Sequence, residues 1–400
     1  MCKDRTIESP RKWFSALAGK GLIMGSLYFL LYAGNGAWLP FLGVYFKQLG
    51  FTGLQIGTIS GVGAAMRIVS QPIWGVVADL WGRRRSLLVV LLSMALVVAS
   101  AAWQGGWWFF ILWSAVYAVV SGSSGSLINS LTLDFQDEDR ALSYDRLRLW
   151  GSVGWAVVTF SVGRLITGRD MRLIFLFGAF VYFVAWFLVW RGLEKANGKV
   201  ALKTDWSGLG RVLKNKRLLL FLVLIVLVRV GESSIFTFVP IFMDDLGGTD
   251  RQIGLASSVQ ALAEIPVFLA ATAIILRIGT GRALFLTTLF LSIRTLLYSL
   301  VSQPGLIVWI QLLQGMFGLF LVASVEHVNR LVPAEWRATG QSLFWMAYFS
   351  AGSIVGNSLS GYLYDQIGPR GMFRVSSAIL LVVSLAMLIA LRGPPRSEGG

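Results

Sequence analysis

Apolar runs of helix length follow one another along the whole 400-residue chain, and this most limits what it can fold into. They fall near 21–46, 54–78, 86–104, 107–131, 149–168, 172–190, 218–243, 252–276, 283–302, 305–325, 340–364 and 371–391. A bilayer core about 30 Å thick takes roughly 20 apolar residues per helix, so each run is long enough to cross. Strands cross only as closed barrels with alternating patterns, whereas these runs are continuously apolar, which predicts helices. At 56% hydrophobic and 14% charged residues, with a mean hydropathy of +0.69, the chain is too apolar for an ordinary soluble domain. The expected fold is an all-α membrane protein of twelve transmembrane helices.

The net charge of +15 does not point to nucleic acid, because Lys and Arg collect in alternate loops instead of on one soluble face. That alternation predicts both termini on the cytoplasmic side of the cell (inner) membrane, with Arg164, Arg169 and Arg172 as a local exception. The basic start (Lys3, Arg5, Arg11, Lys12, Lys20) precedes an apolar stretch too long for a signal peptide and reads as a retained first helix. Cys2 is the sole cysteine, which leaves no intrachain disulfide and no cysteine-based metal cage; no cofactor or metal is expected.

A basic stretch, 191–217, divides six runs from six and predicts a cytoplasmic linker between an N-terminal bundle, 1–190, and a C-terminal bundle, 218–400. The halves repeat in sequence. Residues 49–60, LGFTGLQIGTIS, match residues 246–257, LGGTDRQIGLAS, at seven of twelve positions with an offset of 197. Thr52 with Gln55, and Thr249 with Gln252, each form the T-x-x-Q pattern of a helix capping box. At the same offset Gly82 falls on Gly279 and Arg85 on Arg282. Paired helices point the same way, so this is a parallel repeat about an axis along the membrane normal, an arrangement used for alternating access.

Between the second and third runs stands Gly75-Val-Val-Ala-Asp79-Leu-Trp-Gly82-Arg83-Arg84-Arg85. A carboxylate at a helix end beside arginines makes charge-assisted bonds across a cytoplasmic mouth, which reads as a gate; the bland reading is positive-inside charge that only orients the chain. The motif resembles the loop signature of the major facilitator superfamily, with Leu80 where a basic residue usually follows the acid. Within it the chain is similar to the branch holding lactose permease and the phenylpropionate permease group. Gln71-Pro72 and Arg146-Leu-Arg148-Leu-Trp150-Gly151-Ser152-Val-Gly154-Trp155 resemble lactose permease, and Leu291-Ser-Ile-Arg294 its coupling-arginine stretch. The resemblance implies Arg148 as a sugar-binding arginine and Trp155 as a stacking ring. Ser130 stands where that permease has a sugar-binding glutamate, and Gln311-Leu-Leu-Gln314 lacks its histidine and glutamate. Ala263-Glu264-Ile-Pro266 resembles the phenylpropionate group instead.

Charges inside lipid cost a few kcal/mol or more, so Arg67, Arg229, Glu232, Glu264 and Arg294 are expected to face a cavity or one another. Arg229 and Glu232, three residues apart on one helix face, form either a static pair or part of the coupling machinery. Glu264 has no opposite charge on its own helix and is the candidate proton carrier, ionised beside Arg294 in one conformation and neutral in the other; direct substrate binding and a structural role are the alternatives. Candidate substrate contacts are Arg148, Trp155, Ser152, Asn35, Asn357 and Arg67, the asparagines serving equally well as interhelix bonds. His327 is expected in a loop.

The chain lacks H-E-x-x-H, G-x-S-x-G and G-x-x-x-x-G-K, which argues against an enzyme and against ATP coupling. The expected function is proton-coupled uptake of a small organic solute such as a sugar, nucleoside or aromatic acid, by a monomer whose partners are the solute, protons and lipid. An exporter of drugs or metabolites, and a non-transporting sensor on the same scaffold, are the competing classes.

Overall fold

A computed structural model describes residues 20–138, 144–193 and 214–391. Cys2, most of the basic N-terminus and most of the 191–217 linker lie outside the described residues. The described chain is helical throughout: α1 (Lys20–Gln48), α2 (Gly53–Trp81), α3 (Arg83–Ser100), α4 (Trp107–Ser121), α5 (Ser124–Glu138), α6 (Tyr144–Ile166), α7 (Leu173–Gly192), α8 (Lys216–Asp245), α9 (Asp250–Ile278), α10 (Thr280–Leu300), α11 (Pro304–Ile310), α12 (Gly315–Leu331), α13 (Arg337–Met346) and α14 (Ser353–Ala390). Trp107–Thr132 and Pro304–Leu331 are each one broken crossing, made of α4 with α5 and α11 with α12.

Ten stretches among the described residues are long and apolar enough to cross a bilayer. One of them, Thr339–Ala390, is a hairpin. Gly368 breaks it with φ 70°, and its two arms pass the same turn of α8: Gly352 packs on Arg229, and Leu380 packs on Gly231. α2 is long enough but more polar, with Arg67 at its middle. Adding α2 and the second hairpin arm to the ten gives the twelve crossings expected.

The internal repeat survives into backbone geometry. Both capping boxes form: Thr52 Oγ1 accepts from Gln55 N at 3.2 Å and Thr249 Oγ1 from Gln252 N at 3.4 Å, each satisfying a free amide at a helix start. Gly82 and Gly279 each join two helices through a single left-handed residue, φ 87° and 83°, which a side chain would strain. Gly50 and Gly247, also at positive φ, pair at the same offset of 197.

The halves meet at the end of the bundle opposite the Gly82 loop, along two seams related by the repeat. In one, α2 crosses α14 so closely that a Cβ on Gly57 would collide with the Asn357 carbonyl oxygen. In the other, α9 crosses α6, and a Cβ on Gly254 would lie 2.6 Å from the Thr159 carbonyl oxygen. Ser258 adds a bond to Ala156 O at 2.7 Å. At the rim Lys47 reaches Asp244 at 2.7 Å and Asp245 at 2.6 Å, and Asp365 accepts from Gly53 N at 2.7 Å and Leu54 N at 2.8 Å. At the Gly82 end the described residues show no hydrogen bond between halves. There Gly75 has nothing within 4 Å of where a Cβ would stand, and Val76, Leu80 and Trp81 are exposed.

Candidate functional site

Inside the closed seams lies a cavity of about 140 Å³ between the halves. Arg67, midway along α2, and Arg229, midway along α8, both line it, as does Asn357 of α14. Of the candidate substrate contacts, therefore, the structure brings Arg67 and Asn357 together with Arg229. Its other walls mix aliphatic and small residues with aromatic rings, among them Trp38 of α1, Trp113 and Tyr117 of α4, Phe236 of α8 and Phe349. Trp38 stands edge-on to Trp113 at 5.4 Å and to Tyr117 at 5.0 Å, which fixes these rings as a preformed wall. Phe349 belongs to a π-helical turn, Ala347–Gly352, a local irregularity of the kind that re-aims side chains at functional sites.

Arg229 is fully engaged. Nε donates to Ser353 Oγ at 2.8 Å, Nη1 donates to Glu232 Oε2 at 3.2 Å, and the guanidinium lies over the rings of Tyr348 and Phe349. The Tyr348 hydroxyl also donates to Glu232 Oε2. The predicted Arg229–Glu232 pair thus forms, with Glu232 6% exposed and behind the cavity wall. Asn35 stands behind the wall too: its Oδ1 accepts from Tyr117 at 3.0 Å and Tyr182 at 2.9 Å, so it positions the tyrosine that lines the cavity.

A second polar group is buried within the C-terminal half. Arg294, 1% exposed on α10, donates Nε to the Tyr298 hydroxyl at 2.8 Å and its terminal nitrogens to Gln311 Oε1 and Gln314 Oε1. Gln314 Nε2 in turn donates to Glu264 Oε1 at 2.9 Å. Among the described residues Glu264 and Arg294 form no direct ion pair; the expected contact is replaced by a bridge through Gln314. That bridge is possible because Gln311 and Gln314 sit three apart on a short 3₁₀ turn, Gln311–Gln314, between α11 and α12. A spaced polar pair inside an apolar run is the sequence signal that marks them.

Arg148, Ser152 and Trp155 do not line the central cavity. All three are carried by α6, which packs tightly on α1: Gly151 meets the Tyr32 ring, Gly154 meets the Phe29 backbone, and Gly36 meets the Trp155 backbone. Arg148 nevertheless lies within electrostatic range of Glu264 on the opposite half. Of the loop motif, Arg84 donates to Trp190 O at 2.8 Å and Arg83 to Ser130 O at 3.4 Å, both within their own half. Among the described residues no bond reaches Asp79, which is exposed, as is Arg85. His327 is not a loop residue: it lies in α12, its ring centroid 4.7 Å from that of Phe221, because the helix continues past the end expected from hydropathy.

The sequence profile of the MFS_1 like family matches residues 22–375. The chain is similar to the maltose permease of Geobacillus stearothermophilus, 27% identical over 97% of this chain and 98% of that one. It is also similar to a probable 3-phenylpropionic acid transporter of Escherichia coli (strain K12), 24% identical over 88% and 93% of the two chains. The crystal structure of the nucleoside transporter NupG superimposes with a TM-score of 0.84 at 19% identity, covering 94% of this chain and 99% of that one. Two repeat-related seams, a cavity at mid-depth between halves, and a match over most of the chain lead to one identification: the chain belongs to the MFS_1 like family and is an integral membrane transporter, not an enzyme.

Proposed function

We propose that this transporter takes up a small organic solute together with protons, using the central cavity as its binding site and the two halves as rocking elements. The observation that carries this reading is the asymmetry of the interface: both seams are closed at one end, while among the described residues no hydrogen bond joins the halves at the end bearing Gly75 and Asp79. If the basic loops face the cytoplasm, as their Lys and Arg content argues, this is the inward-open state. The outward-open state then requires the seams at Gly57 and Gly254 to part and the Gly75–Arg85 segment to close. Asp79 and Arg83, Arg84 and Arg85 are the groups proposed to make that closure.

Protons enter through Glu264. It accepts from Gln314, whose carbonyl oxygen holds Arg294, and it lies in the field of Arg148 across the cleft. As the halves move, the distance to Arg148 changes while the Gln314 bridge stays within one half. The carboxylate is therefore stabilised differently in the two states, which is what linkage between proton and conformation requires. Names of relatives extend the solute range to sugars, nucleosides and aromatic acids.

Purified protein in proteoliposomes tests the proposal. Glu264→Gln is expected to retain solute counterflow and lose accumulation driven by a pH gradient. Uphill uptake equal to that of the unaltered protein would remove Glu264 from coupling. Accumulation driven by an inside-acid gradient would reverse the direction to export.

A further inference from the structure

The central cavity carries a charge that no group among the described residues balances. Among its lining residues the charged ones are Arg67 and Arg229, with no Asp or Glu. Arg229 is neutralised by Glu232. Arg67 is not: among the described residues no hydrogen bond or ion pair reaches its side chain, and the groups whose field it feels are the Tyr117 hydroxyl and the like-charged Arg229. A guanidinium at membrane depth persists where it faces a cavity or a group that compensates it. With no such group among the described residues, the contents of the cavity are what is placed to do so.

We infer that Arg67 is an anion-binding subsite, and that the transported solute carries a carboxylate, or an anion of similar shape, on a flat apolar body. The inference deepens the transport reading and rests on it. The guanidinium fork matches the two oxygens of a carboxylate, and a ligand anion placed between Arg67 and Arg229 relieves their mutual repulsion. Trp38, Trp113, Phe236 and Phe349 offer ring faces and edges to the rest of the molecule, while Asn357 and Ser60 offer polar contacts. A neutral sugar leaves Arg67 uncompensated; an organic acid does not.

Binding is read by quenching of tryptophan fluorescence, since Trp38 and Trp113 line the cavity. The full chain in detergent is titrated with 3-phenylpropionate, with the uncharged isostere 3-phenylpropanamide, with benzoate, and with maltose and uridine. At least one carboxylate is expected to bind about tenfold or more tighter than the amide and the neutral solutes, a preference of the size that charge-assisted bonds provide. Arg67→Gln is expected to reduce that preference to within about threefold, and Arg67→Lys to keep part of it. Equal affinity for acid and amide, no binding of any carboxylate, or a preference that survives Arg67→Gln each overturns the subsite. The acid-versus-amide comparison needs no variant, so it decides even if Arg67→Gln misfolds. Counterflow of the same solutes separates the two readings: binding of a carboxylate without exchange sinks transport and spares the subsite, whereas exchange of neutral solutes alone does the reverse.

Discussion

Glu232 and Gln314 are the two side chains on which the buried polar groups depend. Glu232 accepts from both Arg229 and Tyr348, so Glu232→Ala leaves a guanidinium and a hydroxyl without their acceptor. Breaking one side of a buried pair costs about 3–5 kcal/mol, and the melting temperature in detergent is expected to fall accordingly; the double replacement by Met should recover much of the loss. Gln314→Leu removes the bridge between Arg294 and Glu264 and is expected to cost about 1–3 kcal/mol for each group stranded. At this scale the intramembrane charges were legible, because lipid tolerates them only when something faces them. Their partners were not. Tyr348 is aimed at Glu232 by a π-helical turn, and Gln311 and Gln314 by a 3₁₀ turn, neither of which leaves a periodic trace in the sequence.

Helices α2 and α9 begin with the same capping box and each ends at a left-handed glycine, so their starts and stops were readable from the T-x-x-Q and Gly82/Gly279 positions. What they pack against is a tertiary matter. Gly57 and Gly254 are points of close approach, and a Val at Gly254 should hold the α6–α9 seam apart because its Cβ meets the Thr159 carbonyl oxygen. In a Cys2→Ser background carrying Ser60→Cys in the cavity wall, an impermeant maleimide added from the seam side is expected to react after Gly254→Val and not before. Similar reactivity in both would show that the seam is not the barrier. Lys47→Met, which removes the rim contacts to Asp244 and Asp245, is expected to raise labelling by less, since half-exposed ion pairs contribute little individually.

For the molecule as a whole, the described residues join the halves at the seams and show no hydrogen bond between them at the motif loop. Asp79 is exposed here, so Asp79→Asn should leave the stability of this state unchanged. If Asp79 closes the opposite state, the substitution shifts the population several-fold toward the arrangement seen here. Spin-label distances between positions 76 and 276, on the motif-end turns of the two halves, measure that shift; an unaltered distance distribution would falsify a gating role.

The sequence alone determined the solvent, the twelve crossings and the twofold repeat, because bilayer thickness and the α-helical rise set run length, and because capping and turn residues act locally. It also named the charged residues that must avoid lipid. Only the tertiary structure decided which of them share a cavity. Arg67 on α2 and Arg229 on α8 meet across the two halves, while Arg148 and Trp155, on the helix packed against α1, stay outside the cavity wall. The physical reason is that helix periodicity gives each residue a face, but the rotation of that face toward a cleft is fixed by packing of glycines such as Gly36, Gly57 and Gly254 against helices far along the chain.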